Sequence, residues 1–384
     1  MTQARANSIQ REIAVALREQ VPVRDLTDVS IKDVQQKPEQ PFDISFELRS
    51  GRNRIRVFGE AKQTFTPRMI SEIIPWIKRL KSLRPDLVVA LLAPVFTDRA
   101  QTFCIESGVD FVDLAGNISI NVPGKFTLRR TGMRARALLG QKSAAPSTSN
   151  VFSGRYSRLL RVLLENPKQW TLTEIDGELK EQSIRFSERF PQALKIDFTI
   201  SRGAISKAIA SLEEQLWIRR RGMALVVPEP ARLLEQWAEK YKERYRWRLR
   251  SSFQTANPFG VDLASILGGL EQLVPGMYAL TSAMAASVDS PFVDIDVVDV
   301  LLLSGKAEAS LRKLTKEPSR GPSFRFINPY DDGVFMYARQ ILHGAVVSGI
   351  QAFLDLYARG GRDLKQAEHL LENMIKPKWG RYDS

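Results

Sequence analysis

The apolar positions of the chain change period several times, and each change predicts an element. Residues 7–20 predict a helix, and strand-like stretches follow at Val29–Gln35, Phe42–Leu48 and Arg54–Gln63, with Gly51-Arg-Asn53 as the tight turn between the last two. A helix over Pro67–Leu83 comes next, then an apolar strand over Leu87–Leu92, a helix over Asp98–Ser107 and a strand over Val109–Leu114. Beyond it, Gly116-Asn117 has turn chemistry, and Asp113 is placed to cap a backbone group there. Later, Ser157–Glu165 and Thr171–Leu179 predict two short helices, the second opening at a Thr-Leu-Thr-Glu capping box. Ile205, Ile209, Leu212 and Leu216 recur at spacings of four, three and four behind an N-cap at Ser201, which gives a third helix with one face turned inward. Trp217–Arg221 and Ala224–Val227 flank Gly222-Met223, a hairpin signal. A long helix starts near Pro230. The C-terminal part reads as a small-residue helix over Pro275–Ala286, a strand over Val293–Leu303, a helix, an apolar stretch over Phe324–Tyr330 and a helical tail over Gln351–Glu372.

The polar, Pro-interrupted run Gln141–Asn150 marks a linker, and at 384 residues the chain is too long for one ordinary core. The expected division is a domain over 1–140, the linker over 141–150, a domain over 151–240 and a C-terminal α+β domain over 251–384. No internal repeat of convincing period is present.

Charge sharpens this division. The formal net charge is +13, and it is segregated. No acidic residue stands between Asp113 and Glu165, whereas Lys125, Arg129, Arg130, Arg134, Arg136, Lys142, Arg155, Arg158 and Arg161 do. From Arg202 to Arg250 there are twelve Lys and Arg against six Glu, and between Arg250 and Lys306 the charged residues are all acidic. The centre of the chain therefore suits phosphate, and the C-terminal part suits a protein partner. Cys104 is the only cysteine, which excludes an intramolecular disulfide and a cysteine zinc site, and His343 and His369 are too few for most histidine metal sites. With no membrane-length apolar run and no signal-peptide core, a cytoplasmic protein is expected.

The N-terminal order αβββαβαβ resembles the PD-(D/E)xK nuclease fold, an α/β restriction-endonuclease-like domain. Its motif positions match Asp43, early in one strand, and Glu60-Ala61-Lys62, late in the next, with Pro41 one position earlier than the family pattern. Residues two apart on a strand share a face, so Glu60 and Lys62 project together, and the hairpin partner brings Asp43 beside them. The resemblance implies Asp43 and Glu60 as Mg²⁺ ligands and Lys62 as the catalytic lysine, if the domain cleaves; such folds also serve as platforms without cleavage.

Residues 151–240 resemble the winged helix-turn-helix of bacterial transcription regulators. Arg202, Ser206, Lys207 and Ser211 are then the candidates for reading double-stranded DNA, with Arg219, Arg220 and Arg221 on the wing and Arg155 and Arg158 ahead of the motif. DNA binding of this kind requires no cofactor. Lys180–Asp197 is longer than the usual link between second and third helices, which predicts an inserted segment. The closing Leu-Asp-Leu and Gly-Gly-Arg-Asp segments, behind a winged helix, resemble AbiEi-type antitoxins of type IV toxin–antitoxin systems over about 151–376. That family implies a repressor of its own operon and a nucleotidyltransferase-like toxin as partner, although its members commonly begin with the winged helix. A homodimer is common among winged-helix regulators, but no heptad run specifies one here. Two functions are therefore expected: a DNA-binding transcriptional regulator of the antitoxin kind, and a Mg²⁺-dependent endonuclease directed by the winged helix.

Overall fold

The computed structural model describes residues 3–36, 41–133, 151–303, 308–342 and 344–380. Arg134, Arg136, Lys142, the linker 141–150, Lys306 and His343 lie outside the described residues. The chain is mixed α/β and divides into two compact units, the first carrying the N-terminal sheet and the second the elements from residue 151 onward apart from Glu213–Leu216, which group with the first.

The first unit runs α1 (Gln3–Arg18), β1 (Val29–Gln36), β2 (Ile44–Ser50), β3 (Asn53–Ala61), α2 (Pro67–Leu83), β4 (Val88–Ala93), α3 (Asp98–Glu106), β5 (Asp110–Asp113), β6 (Ile118–Val122) and β7 (Phe126–Arg130). Every strand pairs with its neighbour in sequence, giving a seven-stranded sheet in the order β1 to β7. The two pairs bridged by helices, β3 with β4 and β4 with β5, are parallel, and the other pairs are antiparallel. That follows from chain length: a tight turn reverses a strand, and a parallel return needs a crossover helix.

Strand β4 shows why its sequence is apolar throughout. Val88, Ala90 and Leu92 pack with Ile9, Ile13 and Leu17 of α1, while Val89, Leu91 and Ala93 pack with Ile70, Ile77 and Cys104 of α2 and α3. Both faces are covered, so alternation disappears. The hairpin of β6 and β7 is an addition to the expected elements, and its strands meet around Gly124, whose φ of +72° is the left-handed region that glycine accepts without strain.

In the second unit α4 (Ser157–Glu165), α5 (Leu172–Arg189) and α6 (Arg202–Glu214) precede a hairpin of β8 (Arg219–Arg221) and β9 (Ala224–Val226), then α7 (Pro230–Arg250). Thr171 and Glu174 form the expected capping box, and Ser201 accepts from the Ala204 amide. The long link after Leu179 is mostly helix: the buried stripe Ile175, Leu179, Gln182 and Phe186 keeps the helical spacing and carries α5 on to Arg189. The remaining loop is pinned by Phe190 and Phe198, whose ring centroids lie 5.0 and 5.5 Å from that of Phe186. Trp170 bridges Leu225 of β9 in antiparallel fashion and adds a third backbone segment to the hairpin.

The chain continues through β10 (Phe253–Thr255), α8 (Leu263–Leu273), β11 (Tyr278–Thr281), α9 (Ser282–Ser287), β12 (Val297–Leu302), α10 (Glu308–Leu311), β13 (Ser323–Ile327), β14 (Arg339–Ile341), β15 (Gly344–Val346), α11 (Gly349–Arg359) and α12 (Arg362–Leu370). These strands form one mixed sheet in the order β10-β13-β12-β11-β15-β14. The stretch expected to be a single helix from Pro275 to Ala286 is instead strand β11 followed by α9, because Tyr278–Thr281 pairs along β12 from Leu302 to Asp299.

The expected boundary near residues 240–250 does not separate two bodies. Buried apolar residues from Val151 to Trp379 form one cluster, and α7 spans it with Leu233, Leu234, Trp237, Tyr241 and Tyr245. A buried polar chain makes the same connection. Arg161 of α4 donates to Gln351 Oε1 of α11 at 2.7 Å, Gln351 Nε2 donates to Asp355, and Asp355 also accepts from Tyr241 of α7 and Thr281 of β11. The two parts therefore behave as one packed unit.

Candidate functional site

The first unit brings Asp43, Glu60 and Lys62 together. The β2–β3 register pairs Ile44 with Gly59, which sets Asp43 beside the end of β3, and the Asp43 amide donates to the Gly59 carbonyl. Glu60 and Lys62 lie two apart at that end and form an ion pair at 3.4 Å. The Lys62 ammonium also sits 5.6 Å from the centroid of the Phe65 ring. The site is half-buried, with Glu60 and Lys62 side chains 24 % and 38 % exposed.

Burial raises the pKa of Glu60 above the ordinary glutamate range; the neighbouring Asp43 charge adds to that shift, and Lys62 opposes it. Two carboxylates and one ammonium in one partly desolvated corner therefore carry unrelieved negative charge. A divalent cation would relieve it, and the donor set is hard oxygen, which suits Mg²⁺. Among the described residues, no group of three or more His, Cys, Asp and Glu side chains is arranged to hold a metal, so the acidic donors here are two.

Gln10 of α1 is a further member that spacing arguments did not find. Its Nε2 donates to Asp43 Oδ1 at 2.5 Å, while Asp43 Oδ2 accepts from the Ala61 amide at 2.9 Å. Gln10 is 8 % exposed, and its Oε1 is buried without a hydrogen-bond partner. Buried polar atoms are almost always paired, so an orphaned oxygen on the residue that holds Asp43 marks this corner as one that could take a further polar partner. The available signal was a polar residue set between Ile9 and Ile13 on the buried stripe of α1.

Asp113 and Asn117 make a turn, as their chemistry suggested. Asp113 accepts from the amides of Phe96 and Asn117 and from Asn117 Nδ2, and both side chains are fully buried. This closes the β5–β6 corner and leaves no free carboxylate facing solvent.

In the second unit, α6 separates its faces. Ile205, Ala208, Ile209 and Leu212 are buried, Arg202, Ser206 and Lys207 are exposed, and Ser211 is half-buried. Arg202 is 76 % exposed and reaches Asp176 of α5 at 3.4 Å, which orients it along the helix start. Arg219, Arg220 and Arg221 of β8 are all exposed beside it in sequence, as is Arg155.

Arg158 departs from the expected set. It is 7 % exposed, donates to the Asp197 carbonyl at 2.9 Å and lies 5.4 Å from the Phe198 ring centroid, so it holds the α5–α6 loop and is withdrawn from any surface. Arg161 is 1 % exposed, 5.2 Å from the Trp237 ring, and is likewise structural. Nearly every position of α4 is buried, which is why two arginines of the basic run turn inward.

No helix among the described residues is long and apolar enough to cross a membrane. In comparisons with known proteins, no family model matches the chain, and neither a curated protein nor a solved structure matches it.

Proposed function

We propose that the chain is a DNA-binding regulator that holds duplex DNA through α6 and the β8–β9 hairpin, in the manner of a winged helix. The observation that carries this reading is the division of α6: its apolar side is locked in the core while Arg202, Ser206 and Lys207 face outward, next in sequence to three exposed arginines on a hairpin. A rigid helix presenting cations and hydroxyls can enter a major groove, and an adjoining basic hairpin can follow the phosphates. The order α4, α5, α6, hairpin, with Trp170 bridging the hairpin, supports the same reading. Arg155 joins this surface, and Arg158 does not. Repression of its own operon and opposition to a nucleotidyltransferase-like toxin are the refinement that the antitoxin resemblance adds.

The test is fluorescence anisotropy with a labelled mixed-sequence duplex across a salt series. Arg202→Ala and Lys207→Ala should each weaken binding and reduce the slope of log affinity against log salt by about 1. Binding unchanged in both variants would remove α6 from the interface.

A second reading has its own support in the first unit. The convergence of Asp43, Glu60, Lys62 and Gln10 suits a PD-(D/E)xK-type endonuclease, and the order of elements around it agrees. Asp43 and Glu60 would hold Mg²⁺, with Gln10 Oε1 beside them, and the ion would supply Lewis-acid stabilisation of phosphate charge. Lys62 would orient a water toward the scissile phosphate, and Gln10 would keep the Asp43 carboxylate in place. Plasmid nicking with Mg²⁺, compared between the unaltered chain and Lys62→Ala, decides it. Cleavage equal in both, or absent from both, removes the enzyme.

A further inference from the structure

Helix α7 ends in a surface that neither reading uses. Its buried stripe closes with Tyr241 and Tyr245, and Trp247 lies two positions further on, about 200° round the helix from Tyr245. The indole is accordingly 69 % exposed. Side chains three positions away share its face, and both are arginines: Arg244 precedes it and Arg250 follows it. The Arg250 guanidinium carbon sits 4.9 Å from the Trp247 ring centroid, and Arg244, Arg246 and Arg250 are all exposed. From Arg244 to Arg250 the helix carries four arginines and no carboxylate.

We propose that the end of α7 is a binding surface for single-stranded nucleic acid, in which Trp247 stacks on an unpaired base and Arg244 and Arg250 take the flanking phosphates. Tryptophan gives up more apolar area than any other side chain when left in water, so an exposed indole framed by cations favours a partner with both a flat face and negative charge. An unpaired nucleotide has both. A duplex offers only its phosphates here, because its base faces are stacked inward, and single strands are held by basic grooves with aromatic platforms of this composition. An acidic membrane surface fits less well, because the neighbours of Trp247 on the exposed face are charged and the apolar stripe of α7 is committed to the core. This surface is separate from α6, and the inference does not rest on the winged-helix reading.

The experiment uses the full chain, with anisotropy of labelled oligo(dT), an oligomer of abasic sites with the same phosphates, and a mixed-sequence duplex. Trp247→Ala should weaken oligo(dT) binding about tenfold, and Trp247→Phe should keep most of it, since the ring is the contacting group. The abasic strand should bind the unaltered chain as weakly as oligo(dT) binds Trp247→Ala. The double variant Arg244→Ala with Arg250→Ala should weaken both strands and flatten the salt dependence. Alanine is well tolerated on an exposed helix face, and unchanged circular dichroism checks that the variants fold. Duplex binding should be the same in Trp247→Ala and the unaltered chain, so failure of the α6 reading is seen separately. The proposal is overturned if Trp247→Ala binds oligo(dT) as the unaltered chain does, or if the abasic strand binds equally well. Loss confined to phosphatidylserine vesicles, with oligo(dT) binding intact, would also overturn it.

Discussion

Two clusters of carboxylates with cationic partners, one in each unit, use the same ingredients to opposite ends. In the second unit Asp299 of β12 is fully buried and accepts from Arg325 of β13 at 2.7 Å and from Arg359 of α11 at 2.6 Å, while Arg359 also holds Asp363 at 2.8 Å. Nearby, Asp355 is fully buried and accepts from Tyr241, Thr281 and Gln351. Both oxygens of Asp299 and both of Asp355 accept from side chains on other elements, so the cluster fastens sheet to helices. In the first unit Asp43, Glu60 and Lys62 stand at a strand end, partly exposed, with one orphaned oxygen on Gln10 and like charges left close together. Carboxylates whose oxygens are taken by side chains from several elements fasten a fold, and carboxylates held close at a partly exposed strand end are open to a ligand.

The largest expected effect separates these roles directly. Asp299→Ala leaves the Arg325 guanidinium, 14 % exposed, without its partner and strips one of two from Arg359. Removing one side of a buried ion pair costs about 3–5 kcal/mol, so the second unit should lose that much in urea unfolding followed by tryptophan fluorescence. Five of the six tryptophans lie in that unit, which makes the signal specific. A loss below about 1 kcal/mol would show that Asp299 is solvated like a surface charge and would dissolve the contrast.

A smaller effect is the pH dependence of the same unit. Burial pushes the Asp355 carboxyl up to about 6, against the pull of its three donors. A folded-state pKa above the unfolded one means the folded protein binds the extra proton. The contribution to stability is therefore fully present below about pH 4 and is lost as pH rises through about 6. Asp355→Asn should remove that part of the slope, because the Tyr241 and Thr281 hydroxyls can turn to accept from an amide. An unchanged slope between pH 4 and 7 would assign the titration elsewhere.

What could be read from the chain divides along the same line. The elements of the first unit follow from local period and turn residues, and β2 and β3 place Asp43 against Glu60 through a hairpin of short reach, so that cluster was visible. The partners of Asp299 stand 26 and 60 positions away, and nothing in Val-Val-Asp-Val-Leu-Leu announces them. Asp294 and Asp296, close by in sequence, are by contrast exposed and lie outside β12. Strand β11 was hidden for a related reason: Tyr278–Thr281 enters a run of small residues that suits a helix locally, and only pairing with β12 and β15 makes it a strand. Arg158 turns inward although a basic residue on a short helix suggests solvent, because α4 is buried along its length from Ser157 to Leu164. The extension of α5, by contrast, was present in the spacing of Leu179, Gln182 and Phe186, with a glutamine standing where an apolar residue would have made it plain.

The smallest effect has the sign that distinguishes a ligand site from a structural one. Ionised Glu60 is held in a partly buried corner beside Asp43, and its raised pKa means that ionisation works against the fold. That contribution is favourable below the ordinary glutamate pKa and is lost as pH rises through the raised value. Glu60→Gln should therefore stabilise the first unit at neutral pH, by less than about 1 kcal/mol because the group is partly solvated and its pairing with Lys62 is given up. The gain should vanish on acidification, where the unaltered chain carries a neutral Glu60 as well. Hydrogen exchange of the Ala61 and Ile44 amides, on either side of the cluster, reads this without interference from the other unit. Faster exchange in the variant at neutral pH would mean that the Glu60–Lys62 pair supports the fold, as the Asp299 pairs do, and the two clusters would then be alike.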